Sequence, residues 1–169
     1  MMRFARVLAI ALLAAAPVAA QEGITYSDAA SQACSEEAIS DSERADCIGA
    51  SARQCVEDSP VGNRRLMGAL CLINETEYWQ RRLDDTRFEL VRSFEATDNG
   101  LGTDGQTAFP MGEALGLMMQ TWERYRDQTC QFEMVLSGAM PGDTLIDVNC
   151  NLRLTGEQAL YLEAQSGGF

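Results

Sequence analysis

Any chemistry in this 169-residue chain would fall to carboxylates, hydroxyls or thiols, because histidine is absent and all 13 basic residues are arginine. Without imidazole there is no Ser-His or Cys-His nucleophile pair and no histidine metal ligand. The acid pairs Glu75 with Glu77 and Asp84 with Asp85 are the candidates for a cell-wall enzyme using paired carboxylates. They fall among arginines on a predicted surface helix, where solvated, salt-bridging side chains are the simpler expectation. No catalytic residue, metal or cofactor is therefore expected, and the chain reads as a non-enzymatic protein.

Thiol chemistry is better defined. Cys34, Cys47, Cys55, Cys71, Cys130 and Cys150 make an even set with no Cys-x-x-Cys pair, the pattern of a disulfide framework rather than a metal site. Cys130 and Cys150 each lie ten residues from Met140, near the middle of the turn Ser137–Asp143. An antiparallel hairpin sets them level, as a disulfide requires. Two arrangements stay open for the other four. Symmetry about the turn near residue 40 favours Cys34–Cys47 with Cys55–Cys71; near-symmetry about Ser59 favours Cys47–Cys71 with Cys34–Cys55. We lean to the first.

The run Trp122-Glu123-Arg124-Tyr125-Arg126-Asp127-Gln128-Thr129-Cys130 gathers two aromatics, an ion pair and a cysteine. Trp122 and Tyr125 continue an apolar stripe, Met111, Leu115, Met118, Trp122, Tyr125 and Thr129, stepping by four and three. They are expected to pack on a long helix, with Arg126 and Asp127 pairing locally. The methionines read as packing filler rather than a copper array.

That long helix is predicted from Arg64 to about Glu95, roughly 30 residues and ~45 Å at ~1.5 Å per residue. Leu72, Trp79, Leu83, Leu90 and Phe94 share one face, and Arg81, Arg82, Asp85, Glu89 and Arg92 occupy the solvated side. Ahead of it, Tyr26-Ser27-Asp28 is expected to cap a short helix running through Ala30 and Cys34 to about Ala38. Asp41 or Ser42 is expected to cap another, continuing through Cys47 to Val56. A flexible loop, about 96–108, separates the long helix from one starting near Pro110. Its acid spacing does not fit a calcium site. A final helix is predicted from Thr144 or Leu145 to Ala164. The fold class is all-α: a small disulfide-stapled bundle with one long central helix and a C-terminal helical hairpin.

Residues 1–20 read as a signal peptide: Arg3 and Arg6, the apolar run Val7–Ala16, then small residues and cleavage after Ala20. The run is too short to span a bilayer, and no later segment reaches membrane-spanning length. No cysteine stands at the cleavage point, so residues 21–169 are expected as one unanchored domain in the periplasm or outside the cell. Without Arg3 and Arg6, 11 arginines face 25 acids, a net charge of −14. Such a chain should avoid nucleic acid and anionic membranes and attract cationic partners, although solubility alone would also account for the charge.

On the motif Trp122-x-x-Tyr125-Arg126-Asp127-x-x-Cys130, with Cys150, Leu152, Thr155 and Leu162 downstream, the chain resembles the LprI lysozyme-inhibitor family. The four earlier cysteines resemble a bacterial subgroup of it. The family's Leu-Asn-x-x-Tyr motif is replaced by Leu83-Asp84-Asp85-Thr86-Arg87, and Gln158 stands where arginine is common. The resemblance implies a helical binding protein that inhibits lysozyme, a basic enzyme that this acidic chain would attract. The contact regions expected are Asp98–Gly105 and Ser137–Asp143. The alternative is an envelope-interaction protein with no effect on lysozyme.

Overall fold

The computed structural model describes residues 23–59, 62–100, 110–139 and 144–167. The expected signal peptide lies outside these, as do most of the glycine-rich loop and residues 140–143 of the last turn. Among the described residues six helices follow in order: α1 (Ala29–Glu37), α2 (Asp41–Asp46), α3 (Ala50–Asp58), α4 (Arg64–Gly100), α5 (Met111–Leu136) and α6 (Thr144–Ser166). Among the described residues there is no strand, and the fold is the all-α bundle expected.

The stripe on α4 organises the core. Trp79, Leu83 and Leu90 are buried against Leu115 and Met119 of α5 and Leu152, Ala159 and Leu162 of α6, with Leu72, Phe94 and Trp122 at the edges. Each large side chain removed from water this way contributes about 1.5–3 kcal/mol. α4 packs mainly on α6, running in the same direction, with Gly68 beside Leu145 and Arg82 bonded to Glu163. α5 returns antiparallel to α6, and Cys130–Cys150 closes the predicted hairpin with a Cα–Cα distance of 5.4 Å. α5 ends where Gly138 takes φ 66°. The Gly138 amide then bonds to Val135 O at 3.1 Å and the Ala139 amide to Met134 O at 3.2 Å. This Schellman arrangement satisfies two terminal carbonyls.

A smaller cluster holds the N-terminal helices. Ala52, Cys55 and Cys71 are buried together, with Ile24, Tyr26 and Leu72 packed against them. The strap before α1 is tied down by the Thr25 amide bonding to Ser59 Oγ at 3.1 Å. The remaining disulfides are Cys34–Cys47 and Cys55–Cys71, the favoured arrangement of the two left open.

Three expectations need correction. The helix predicted from Ser40 to Val56 is two helices, because Gly49 at φ 91° turns the chain between α2 and α3. This break seats Ile48 on α6, where a Cβ at Gly156 would lie 2.7 Å from Ile48 Cδ1. The cap of α2 is Ser40, not Asp41 or Ser42: Ser40 Oγ accepts the Glu43 amide at 3.2 Å. Within the capping segment Tyr26-Ser27-Asp28, Ser27 Oγ accepts the Ala29 amide at 3.2 Å, while the Asp28 carboxylate makes no capping bond and pairs with Arg81 at 2.9 Å. Finally, α4 continues through residues 96–100, so the connection to α5 starts later than predicted.

Candidate functional site

The most heavily bonded polar side chain is Glu75, one turn before Trp79 on α4. It is not the solvated acid expected, since it is 0 % exposed. Its Oε1 accepts Ser31 Oγ at 2.6 Å, the Gly49 amide at 2.8 Å and the Trp79 indole Nε1 at 3.0 Å. Its Oε2 accepts the Ala52 amide at 2.6 Å. Ser31 Oγ in turn accepts the Ser51 amide, and Ser51 Oγ accepts the Ser31 amide, both at 2.9 Å.

This network completes the N-terminus of α3. The first four N–H groups of a helix have no partner within it. Here Gly49 and Ala52 donate to Glu75, Ser51 donates to Ser31, and Ala50 donates to Cys47 O at 3.0 Å. A carboxylate at a helix N-terminus also meets the positive end of the peptide dipoles. Glu75 thus joins α1, α3 and α4 inside the protein, closed off from solvent. The Glu75/Glu77 pair does not assemble: Glu77 is exposed on the surface. Asp84 and Asp85 are exposed as expected, Asp84 Oδ1 accepting from the Gln80 side-chain Nε2 at 3.0 Å.

Tyr26 lies at the edge of this network. Burial foremost, and then the Asp28 carboxylate, push its phenol above the usual pKa of about 10, with Arg81 opposing. A raised pKa means the folded state favours the neutral phenol. The stability it contributes is present below pH ~10 and is lost as pH rises further. In an alkaline titration followed at 295 nm, Tyr26 should ionise in a late phase that coincides with unfolding. Tyr26→Phe should remove that late phase.

Arg82 also departs from the solvated face expected of it. It is half-buried, bonding Glu163 through Nε at 2.8 Å and through a terminal nitrogen at 2.7 Å, and it donates to Tyr78 Oη at 2.9 Å. Its guanidinium stacks 4.7 Å from the Trp79 ring centroid. Burial would lower its pKa, but the Glu163 carboxylate and Tyr78 raise it overall, so the charge stays on.

The Trp122–Cys130 run lies on α5, partly facing the core. Trp122 packs on the core, and Arg126 lies 5.0 Å over its ring while bonding Asp127 at 3.0 Å. Tyr125, however, is 56 % exposed. Cys130 is held inward by its disulfide, and Tyr125, five residues earlier, lies ~140° round the helix from it. The inward face is Leu115, Met119, Trp122, Arg126 and Cys130.

What remains accessible is shallow and charged. A groove of about 750 Å³ runs between the α2–α3 turn and α6, with Ile48, Leu72 and Leu152 below Asp46, Arg53 and Glu157. Smaller ones of about 520 Å³ and 350 Å³ border α2, the first reaching Glu36 and Tyr78, the second Asp41 and Tyr161. Among the described residues no group of three or more His, Cys, Asp or Glu side chains converges to hold a metal ion. None of the described helices is long and apolar enough to cross a membrane. Of the expected contact regions, residues 98–100 belong to α4, Ser137–Ala139 close α5, and the rest lie outside the described residues.

One surface feature was not foreseen. Ile39, in the α1–α2 turn, is 90 % exposed. The surrounding Glu36-Glu37-Ala38-Ile39-Ser40-Asp41 shows it as an apolar residue set among acids, and that was the available signal.

No family model matches the chain, and no solved structure matches it. It is similar to an uncharacterised 17.7 kDa protein encoded in the puhA 5′ region of Rhodobacter capsulatus, 29 % identical over 166 residues. The similarity covers 96 % of this chain and 99 % of that one.

Proposed function

We propose that the protein is exported after removal of residues 1–20 and acts without catalysis, binding a basic protein partner, with lysozyme the partner its resemblance to the LprI family suggests. The observation that carries this reading is the acid excess displayed on a disulfide-stapled frame. Among the described residues only Asp28, Asp127, Glu133, Glu157 and Glu163 pair with arginine. The other described acids, Glu75 aside, leave the surface with an unneutralised negative field. A field of this kind steers a cationic protein towards it and speeds association at low salt. The three disulfides support the oxidising compartment in which such a partner would be met.

Adding the oxidised protein in increasing molar excess to a basic animal-type lysozyme, in a cell-wall clearing assay, should slow clearing in proportion to the complex formed. Unslowed clearing at low salt, with no heat of binding by calorimetry, would set lysozyme aside. Binding abolished by moderate salt would mark charge attraction alone, because a docked interface retains affinity under screening.

A further inference from the structure

We propose that the α1–α2 turn, Glu36–Glu43, is the element that enters the partner, with Ile39 as its apolar tip. This rests on the reading of the protein as a binder of a basic protein. An isoleucine 90 % exposed at the apex of a turn adds nothing to the fold it stands on. Its backbone, by contrast, is fixed from every side. The Ile39 amide donates to Glu43 Oε2 at 2.7 Å, and the Glu43 amide donates to Ser40 Oγ at 3.2 Å. The Ala38 amide closes α1 on Cys34 O at 3.1 Å. Cys34–Cys47 clamps the two ends of the segment, with a Cα–Cα distance of 5.6 Å. A tip already held in one conformation loses little freedom on docking, which is the main device by which a small contact gains affinity.

The charge around the tip selects the partner. Glu36, Glu37, Asp41, Glu43 and Asp46 are exposed, and none is paired with an arginine among the described residues. Arg44 is the one base between Glu36 and Asp46. The turn rises between the two smaller grooves, one reaching Tyr78 and the other the half-exposed Tyr161. A partner could therefore close over the sides of the tip as well as its end. The surface so defined fits a basic protein offering an apolar pocket ringed by cationic side chains.

The test compares the oxidised wild-type protein with Ile39→Ser and with the double variant Glu37→Gln/Asp41→Asn. Binding is measured by calorimetry and stopped flow against a basic lysozyme and against cytochrome c, a basic protein of different fold. Ile39→Ser should melt as wild type yet bind lysozyme at least tenfold more weakly, with the salt dependence unchanged. The double variant should bind more slowly at low salt and lose part of that salt dependence. Lysozyme bound equally by wild type and Ile39→Ser would overturn the role of the turn and leave the binding function standing. Equal loss on cytochrome c would also overturn it, since the tip would then recognise no pocket. Failure of the wild-type protein to bind either basic protein would overturn the binding function and the turn's role together.

Discussion

Replacing Glu75 with glutamine should lower the unfolding free energy by about 2–4 kcal/mol, although the substitution keeps the side chain's shape. The carboxylate accepts at both oxygens, three donors at Oε1 and one at Oε2. An amide offers one oxygen and one NH2. Set with its oxygen towards Ser31, Gly49 and Trp79, it points N–H against the N–H of Ala52. Flipped, it points N–H against the other three. Each buried donor left without an acceptor costs about 1–3 kcal/mol. Glu75→Ala should cost more, because it strips all four donors and leaves a cavity beside Trp79. Urea denaturation followed by circular dichroism would show the shift in midpoint, with Glu77→Gln within ~0.5 kcal/mol of wild type as the exposed control. Equal midpoints for the two glutamine variants would disprove the role assigned to Glu75. Below the melting temperature Glu75→Gln should still bind its partner, since Glu75 touches no exposed surface; an enzyme using this acid would lose all turnover.

The long helix and the C-terminal hairpin were legible because each follows from local rules. A proline-free stretch with one apolar face must bury that face, and two cysteines equidistant from a turn are level on its arms. Glu75 was hidden by the company it keeps in Asn74-Glu75-Thr76-Glu77, which reads as a polar surface. Yet it falls between Leu72 and Trp79 at steps of three and four, inside the apolar stripe, and an acid in that position asks for donors. The break at Gly49 could not be read locally, because the bonds that reward it come from Glu75, 26 residues further on. The exposed side of Tyr125 depended on which neighbour fixed the helix's rotation, and the answer was the disulfide at Cys130 rather than the aromatic ring. The contact regions expected from the sequence, Asp98–Gly105 and Ser137–Asp143, lie mostly outside the described residues. The α1–α2 turn was not legible as a surface feature because its bonds come from side chains around one exposed apolar residue, Ile39.

Reduction should unfold this protein in two steps rather than one. The cluster Trp79, Leu83, Leu90, Leu115, Met119, Leu152, Ala159 and Leu162 belongs wholly to α4, α5 and α6, and it contains no cysteine. The N-terminal cluster is Ala52, Cys55 and Cys71, so two of its three buried members are the disulfide itself. Cys34–Cys47 and Cys55–Cys71 close loops with sequence separations of 13 and 16, worth about 3 kcal/mol each in the chain-entropy account. Without them, α1 to α3 keep the Glu75 network, the packing of Ile24 and Tyr26 and the seat of Ile48 on α6, against the entropy of ordering some 35 residues at ~1–2 kcal/mol each. Hydrogen exchange after reduction should therefore show amides of residues 29–58 losing protection first, with α4, α5 and α6 still protected around the Trp79 cluster. The double variant Cys130→Ser/Cys150→Ser should lose about 3 kcal/mol while its amides at 29–58 stay protected under oxidising conditions. Loss of protection in all six helices at one rate would show instead that Glu75 couples the two clusters into a single cooperative unit. Loss beginning in α5 and α6 would show that Cys130–Cys150, not the N-terminal pair, holds the weaker part of the fold.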